Sequence, residues 1–158
     1  MQTFLPYADF ERSTTVLDRR RLGKQRVEAL QVIRGLVLPG YGWRHHPAVK
    51  MWSGWLEALG CYGLVCSRAW VAAGYADTCA DTIRADLAAA GVTEVRGQAE
   101  LAAAGELPDW LGDPAFHRSH QSALVRKDPD HYGALFPGVP DDLPYVWPRG
   151  RDAAAGQG

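Results

Sequence analysis

Hydrophobic residues recur early in the chain at the spacing of an amphipathic helix. Between residues 16 and 38 polar side chains occupy one face, and the apolar positions near a 3.6-residue period are Leu22, Ala29, Leu30, Ile33 and Val37. Pro39 ends this pattern. The sequence therefore predicts a first helix over residues 16–38, with Ser13 or Thr14 as its N-cap and a short extended segment before it.

Residues 48–74 are apolar on nearly all sides, which predicts a second helix that neighbouring elements cover. Pro47 is expected in its first turn. A third helical pattern covers residues 76–91, and a last one covers residues 115–127 after Pro114. The sequence thus favours an all-α, compact bundle of about three to four main helices.

The C-terminal part has a different composition. Four prolines between residues 136 and 148 predict an extended arm, which Tyr145 and Trp147 would anchor. The last stretch, residues 149–158, is predicted to be a disordered tail. We therefore expect a single helical domain over residues 1–148.

Charge is unevenly distributed along the 158 residues. The formal net charge is −1 and the sequence pI is about 6.5, which argues against a protein that coats nucleic acid by bulk electrostatics. However, residues 11–34 contain seven basic and three acidic side chains, and residues 77–113 contain two basic and eight acidic ones. Any contact with nucleic acid should therefore be local and centred on the first helix.

The sequence also bears on the cellular setting. Cys61, Cys66 and Cys79 have no CxxC spacing and fit buried, reduced thiols rather than metal ligands. The N-terminal residues do not resemble a signal peptide, and no apolar run approaches the roughly 18–20 residues of a membrane span. We expect a cytoplasmic monomer with no membrane contact and no cofactor.

The first helix contains the strongest chemical pattern. Arg21, Lys24 and Glu28 share one side at helical spacing, so that a single carboxylate lies among cations. One interpretation is a solvated face with ordinary ion pairs. The other is a surface that binds phosphates around a catalytic carboxylate, which would stabilise oxocarbenium-like charge as an N-glycosidic bond breaks.

Two histidine pairs are further candidates. His45 and His46 precede the second helix, where they could bind substrate or satisfy a loop carbonyl. His117 and His120 are three residues apart, but two ligands without a third are weak support for a metal site, and we predict none. The segment they belong to is rich in donors that suit phosphate or base edges.

Taken in order, three segments carry a family resemblance: "RLGKQRVEAL", "HHPAVKMWSGWLEAL" and "SALVRKDPDHY". With them the chain resembles the pyrimidine-dimer DNA glycosylases, the family of the phage endonuclease V, and in particular its bacterial relatives. This resemblance implies a compact all-α enzyme whose N-terminal amine attacks the anomeric carbon. It also implies a Schiff base and strand cleavage by β-elimination, that is, AP-lyase activity.

The resemblance also assigns roles to residues. Glu28 falls on the family's catalytic glutamate, Arg21 on its histidine, and Arg26 near an arginine that contacts DNA. Because Gln2 is too bulky for routine removal of the initiator, Met1 would supply the nucleophilic amine, which is partly uncharged near neutral pH. The residues expected to contact DNA are Gln2, Arg20, Arg21, Lys24, Gln25, Arg26, His45, His46, His117, Arg118, His120 and Lys127.

The leading hypothesis is therefore a DNA glycosylase that acts on a damaged or modified base in duplex DNA through Met1 and Glu28. The near-neutral charge also suits an N-glycosidase that acts on a free nucleoside or modified base. A catalytically silent nucleic-acid-binding module would keep the cationic helix without needing Glu28, and a structural domain with a charged exterior would bind no DNA at all.

Overall fold

The computed structural model describes residues 1–151, which form eight helices and no strand. This confirms the predicted all-α class. The helices are α1 Phe10–Val16, α2 Arg19–Val37, α3 Pro47–Met51, α4 Leu56–Ala72, α5 Cys79–Ala89, α6 Gln98–Ala103, α7 Pro114–Lys127 and α8 Pro129–Tyr132.

The core forms around α4, whose residues 58–67 are all buried. α2 contributes Ala29, Val32 and Ile33, none of which has exposed surface. Because burying a Val or Ile side chain stabilises a fold by about 1.5–3 kcal/mol, the contact of α2 with α4 is a main source of stability. It also fixes the position of the polar face of α2.

The chain before α2 differs from the prediction. A separate helix, α1, begins after Asp9, and α2 begins after Asp18; each aspartate accepts a hydrogen bond from a backbone N–H of the first turn. The expected N-cap at Ser13 or Thr14 is therefore wrong. Both residues are buried inside α1, and the Ser13 hydroxyl donates to the Tyr7 carbonyl at 2.9 Å.

The predicted second helix is two helices, α3 and α4. Gly54, with φ of +84°, lies in the turn between them, and this left-handed conformation is one that glycine adopts without strain. The helices predicted over residues 76–91 and 115–127 are confirmed as α5 and α7. Two further helices, α6 and α8, are short and were not predicted.

The C-terminal arm has no helix from residue 137 to residue 150, as expected for its proline content. Tyr145 packs beside α7, whereas Trp147 remains 37% exposed and is a weaker anchor than predicted. The backbone N–H of Arg151 donates to the Ser53 carbonyl at 2.8 Å. Residues 152–158 of the predicted tail lie outside the described residues.

Among residues 1–151, none of the helices combines the length and the apolar character that crossing a bilayer would require.

The contact of α2 with α4 makes a testable prediction about stability. Ile33→Ala should lower the free energy of unfolding by about 2–5 kcal/mol, because it leaves a cavity at a fully buried position. Val27→Ala, at a position 40% exposed on the same helix, is the control and should change it by less than about 0.5 kcal/mol. Urea unfolding measures the stability of both variants. Equal losses of unfolding free energy would contradict the conclusion that the buried face of α2 is a main source of stability.

Candidate active site

The first nine residues have no regular secondary structure, yet residues 2–6 are buried. Gln25 of α2 bonds directly to their backbone: its Nε2 donates to the Gln2 carbonyl at 3.0 Å, and its Oε1 accepts from the Phe4 N–H at 2.7 Å. Because a buried peptide group must find a partner, these side-chain bonds replace the pairing that a sheet would supply. Gln25 thus holds the N-terminal segment against α2.

The same amide makes two further contacts. Its Nε2 donates to the Glu28 carboxylate at 2.8 Å, and its Oε1 lies 2.8 Å from the hydroxyl of Tyr62 on α4. The Gln25 side chain, itself 1% exposed, therefore has an acceptor for each of its two hydrogens, and its oxygen shares the single Tyr62 hydroxyl hydrogen with the Phe4 carbonyl, which lies 2.7 Å from that hydroxyl. It connects the N-terminal segment, Glu28 and the core.

Two histidines of α7 hold the peptide groups of Leu5. His117 Nδ1 donates to the Leu5 carbonyl at 2.8 Å, and His120 Nδ1 accepts from the Leu5 N–H at 2.9 Å. Burial lowers the pKa of both rings, that of His120 to about 3, so both are neutral at physiological pH. The two rings do face one way, as their spacing suggests, but they face the N-terminal segment and not the surface.

Glu28 lies beside the start of the chain. The Gln2 backbone N–H hydrogen-bonds to its carboxylate, and the positive charges of the Met1 amino group and of Lys24 also act on it. Burial nevertheless raises the pKa of Glu28 above its ordinary value, because the cost of removing a carboxylate from water exceeds these favourable contacts. The charge of the Met1 amine therefore acts on a half-buried carboxylate.

A cleft of about 310 Å³ opens in front of Glu28. We call it the cationic cleft, and its lining residues are Phe4, Arg20, Arg21, Lys24, Gln25, Glu28 and Lys127. Arg21 also forms an ion pair with Asp18 at 3.0 Å, while Arg20, Lys24 and Lys127 are exposed. A single carboxylate thus lies among four cations, an arrangement that attracts a phosphate backbone.

The opposite side of α2 has a different environment. Arg26 forms an ion pair with Asp77 at 2.6 Å and lies over the Trp70 ring, and Arg34 forms an ion pair with Asp86 at 2.8 Å. The acidic segment noted in the sequence therefore neutralises part of the basic one. It also places Arg26 away from the cationic cleft, so that the structure does not bring this expected DNA contact to the site.

The remaining predicted contacts are dispersed. Gln2 is buried, with 4% of its surface exposed, and it contacts Glu28 through its backbone. His46 caps α3 through Nδ1, and His45 is exposed beside it. Arg118 is exposed on α7, and its guanidinium lies 3.5 Å from the Gly138 carbonyl. These residues do not line the cationic cleft.

Sequence reasoning did not identify Phe4 and Tyr62 as parts of the site. Phe4 lines the cationic cleft, and Tyr62 holds Gln25 from the core side. Tyr62 has no exposed surface and reads in the sequence as an ordinary core aromatic. No local signal marks either residue, since both act through partners that are 21 and 37 residues away in the chain.

Comparison with known proteins adds a family relationship. The sequence model of the family described as pyrimidine dimer DNA glycosylase matches residues 1–83, slightly more than half of the chain. The match includes the N-terminal segment, all of α2 and the start of α5. No curated protein and no solved structure matches the chain.

Removing the Gln25 amide should release the N-terminal segment. Gln25→Leu leaves at least the Gln2 carbonyl and the Phe4 N–H without partners, and such groups cost about 1–3 kcal/mol each when buried, so we expect a loss of about 2–5 kcal/mol in unfolding free energy. The Phe4 amide should also exchange its hydrogen faster, which NMR measures. Gln31→Leu on the same helix is the control. If the Phe4 amide of Gln25→Leu exchanged its hydrogen at the wild-type rate, Gln25 would not be the residue that holds the N-terminal segment.

Glu28 should make stability depend on pH. Because its pKa is raised in the folded state, the folded protein binds the proton more tightly than the unfolded chain does, and stability falls as pH rises above the ordinary value of 4.5. Glu28→Gln cannot titrate, so its stability relative to the wild type should increase between pH 4 and pH 7. Urea unfolding across this range measures the difference in stability between Glu28→Gln and the wild type. If this difference stayed flat or decreased, burial would not raise the pKa of Glu28.

Proposed function

We propose that this chain, which belongs to the pyrimidine dimer DNA glycosylase family, cleaves the N-glycosidic bond of a damaged or modified base in DNA. The nucleophile is the amino group of Met1, and Glu28 is its acidic partner. The observation that supports this proposal best is that the positive charge of the Met1 amine acts on the Glu28 carboxylate, which lines a cleft together with four cations.

In the proposed reaction the lone pair of the Met1 nitrogen attacks C1′ of the sugar. The bond from C1′ to the base breaks, the base leaves with the two electrons of that bond, and the proton that the nitrogen loses is transferred to the base. The Glu28 carboxylate stabilises the positive charge that develops on the sugar. Because its pKa is raised, Glu28 is also suited to carry a proton between the steps.

Strand cleavage would follow from the same intermediate. The amino sugar opens to a Schiff base with Met1, and loss of a C2′ proton then expels the 3′ phosphate by β-elimination. This AP-lyase step requires a primary amine that forms the Schiff base while it is uncharged. The proposal includes this step, with the N-terminal amine of Met1 as the primary amine.

The cations of the cleft would bind the DNA backbone. Arg20, Lys24 and Lys127 are exposed around Glu28, and long flexible cations that surround a reacting centre can position the phosphates on either side of the target nucleotide. We propose these three residues with Arg21 as the phosphate contacts. Arg26, His117 and His120 are left out of this proposal, because they bind Asp77 and the Leu5 backbone.

Assays of base release and of borohydride trapping test the proposal. The wild type should release a base from at least one of the irradiated, deaminated or alkylated duplexes and should form a reduced covalent adduct. Glu28→Gln should lower the rate by about 100-fold or more, because a positioned acid or base typically contributes 10²–10⁴. Glu94→Gln removes an exposed carboxylate elsewhere and is the matched control.

Absence of both base release and adduct on every duplex would remove the proposal. If a free nucleoside is cleaved and long duplex DNA does not compete, the protein is an N-glycosidase of small molecules instead. If DNA binds with a steep salt dependence while Glu28→Gln behaves as the wild type, the protein is a binding module.

A further inference from the structure

Arg21 is the cation of the cationic cleft that a neighbouring side chain holds in place. Its guanidinium donates to the Asp18 carboxylate at 3.0 Å, and 20% of its side chain remains exposed. Within residues 1–151, Arg20, Lys24 and Lys127 form no such ion pair. A guanidinium that is already ordered loses less conformational entropy when it binds, so its remaining N–H donors suit a phosphate at one defined place.

Asp18 is also bonded to Tyr132, a residue of α8 that is 114 positions away in the chain. The Tyr132 hydroxyl donates to the same carboxylate oxygen that accepts from the Arg21 guanidinium, and it accepts from the Asp18 backbone N–H at 2.9 Å. The other carboxylate oxygen caps α2 by accepting from the Arg21 backbone N–H. One hydroxyl therefore fixes both the backbone and the carboxylate of the residue that caps α2.

The Asp18 carboxylate is charged where it meets Arg21. Burial raises its pKa, but the hydrogen bonds from Tyr132 and Arg21 outweigh this cost and lower the pKa below its ordinary value. A hydrogen bond between two charged groups is stronger than one between neutral groups. The Tyr132 ring also lies 5.8 Å from the Arg21 guanidinium, which adds a cation–π contact. Tyr132 therefore acts on Arg21 both through Asp18 and directly.

The Tyr132 side chain is fixed by its own surroundings. It has no exposed surface, and its ring stacks on that of Phe136 with 6.1 Å between the two centroids. The preceding residue, His131, donates from Nε2 to the Val16 carbonyl at 3.0 Å, so α8 is bonded to the segment before α2. A phenylalanine would fill the same space as Tyr132, and the hydroxyl is therefore not explained by packing.

We propose that Tyr132 is a positioning residue of the cationic cleft, and that through Asp18 it fixes the Arg21 guanidinium for one phosphate of the DNA backbone. The inference rests on the proposed function and deepens it, because it divides the four cations into one ordered contact and three adaptable ones. The ordered contact sets where the strand lies relative to Glu28, whereas the long exposed side chains follow the backbone around it. Since Tyr132 has no exposed surface, it acts on DNA only through Arg21.

A double-mutant cycle on DNA affinity tests this role. Fluorescence anisotropy measures the binding of a labelled duplex with a stable abasic-site analogue to Tyr132→Phe, Arg21→Gln and the double variant, over a range of salt concentrations. Tyr132→Phe should weaken binding roughly fivefold when Arg21 is present and less than about twofold when it is replaced, because coupled residues are not additive. Arg21→Gln should lower the slope of log affinity against log salt by about 0.9, as one phosphate contact is lost.

Two further variants complete the cycle. Asp18→Asn keeps a capping side chain for α2 but loses the charge that holds Arg21, so it should show the same coupling to Arg21→Gln as Tyr132→Phe does. Tyr7→Phe is the matched control, because Tyr7 packs against the same apolar cluster and its hydroxyl bonds to no group of residues 1–151. This control should bind the duplex as the wild type does, with or without Arg21.

Equal losses from Tyr132→Phe with and without Arg21 would overturn the positioning role, since the hydroxyl would then act on the fold and not through Arg21. Wild-type affinity in Tyr132→Phe, a wild-type salt slope in Arg21→Gln, or a wild type that binds no DNA at low salt would overturn it as well. Base release separates the two proposals. If no duplex loses a base but the coupling persists, the glycosylase proposal fails and the positioning role is supported. If bases are released and the cycle is additive, only the positioning role is removed.

Discussion

The Gln25 side chain is the interaction on which the rest of the site depends. It bonds to the backbone on both sides of Thr3, to the Glu28 carboxylate and to the Tyr62 hydroxyl. A helix cannot pair with an extended segment through its own backbone, because its N–H and C=O groups are already used. One buried amide with two donors and two acceptor sites solves this problem. As a result, the start of the chain and the acidic side chain keep one fixed arrangement.

The charges of α2 are divided by the packing around it. On one side Arg26 and Arg34 are neutralised by carboxylates near or in α5, and that side stabilises the domain. On the other side the cations remain exposed around Glu28. This division explains how a chain with a net charge of −1 presents a locally basic cleft.

Much of the fold follows from local pattern, whereas the site depends on distant contacts. The period of apolar residues predicts α2, α5 and α7, because each buries a single face. It does not reveal the break before α4, which depends on the backbone of Gly54. The pattern places Glu28 among cations, but its burial requires the N-terminal segment to fold over it. Similarly, the spacing of His117 and His120 shows that they share a face, yet their partner, Leu5, lies more than 100 residues away in the chain.

The central claim of the proposal is that the Met1 amine is the reacting one, although Lys24 and Lys127 bring two other amines into the cleft that Glu28 lines. Peptide mapping by mass spectrometry, after borohydride reduction on DNA with an abasic site, distinguishes the three. We expect a reduced deoxyribose adduct on the α-amine of Met1. An adduct on the ε-amine of Lys24 or Lys127 would contradict it.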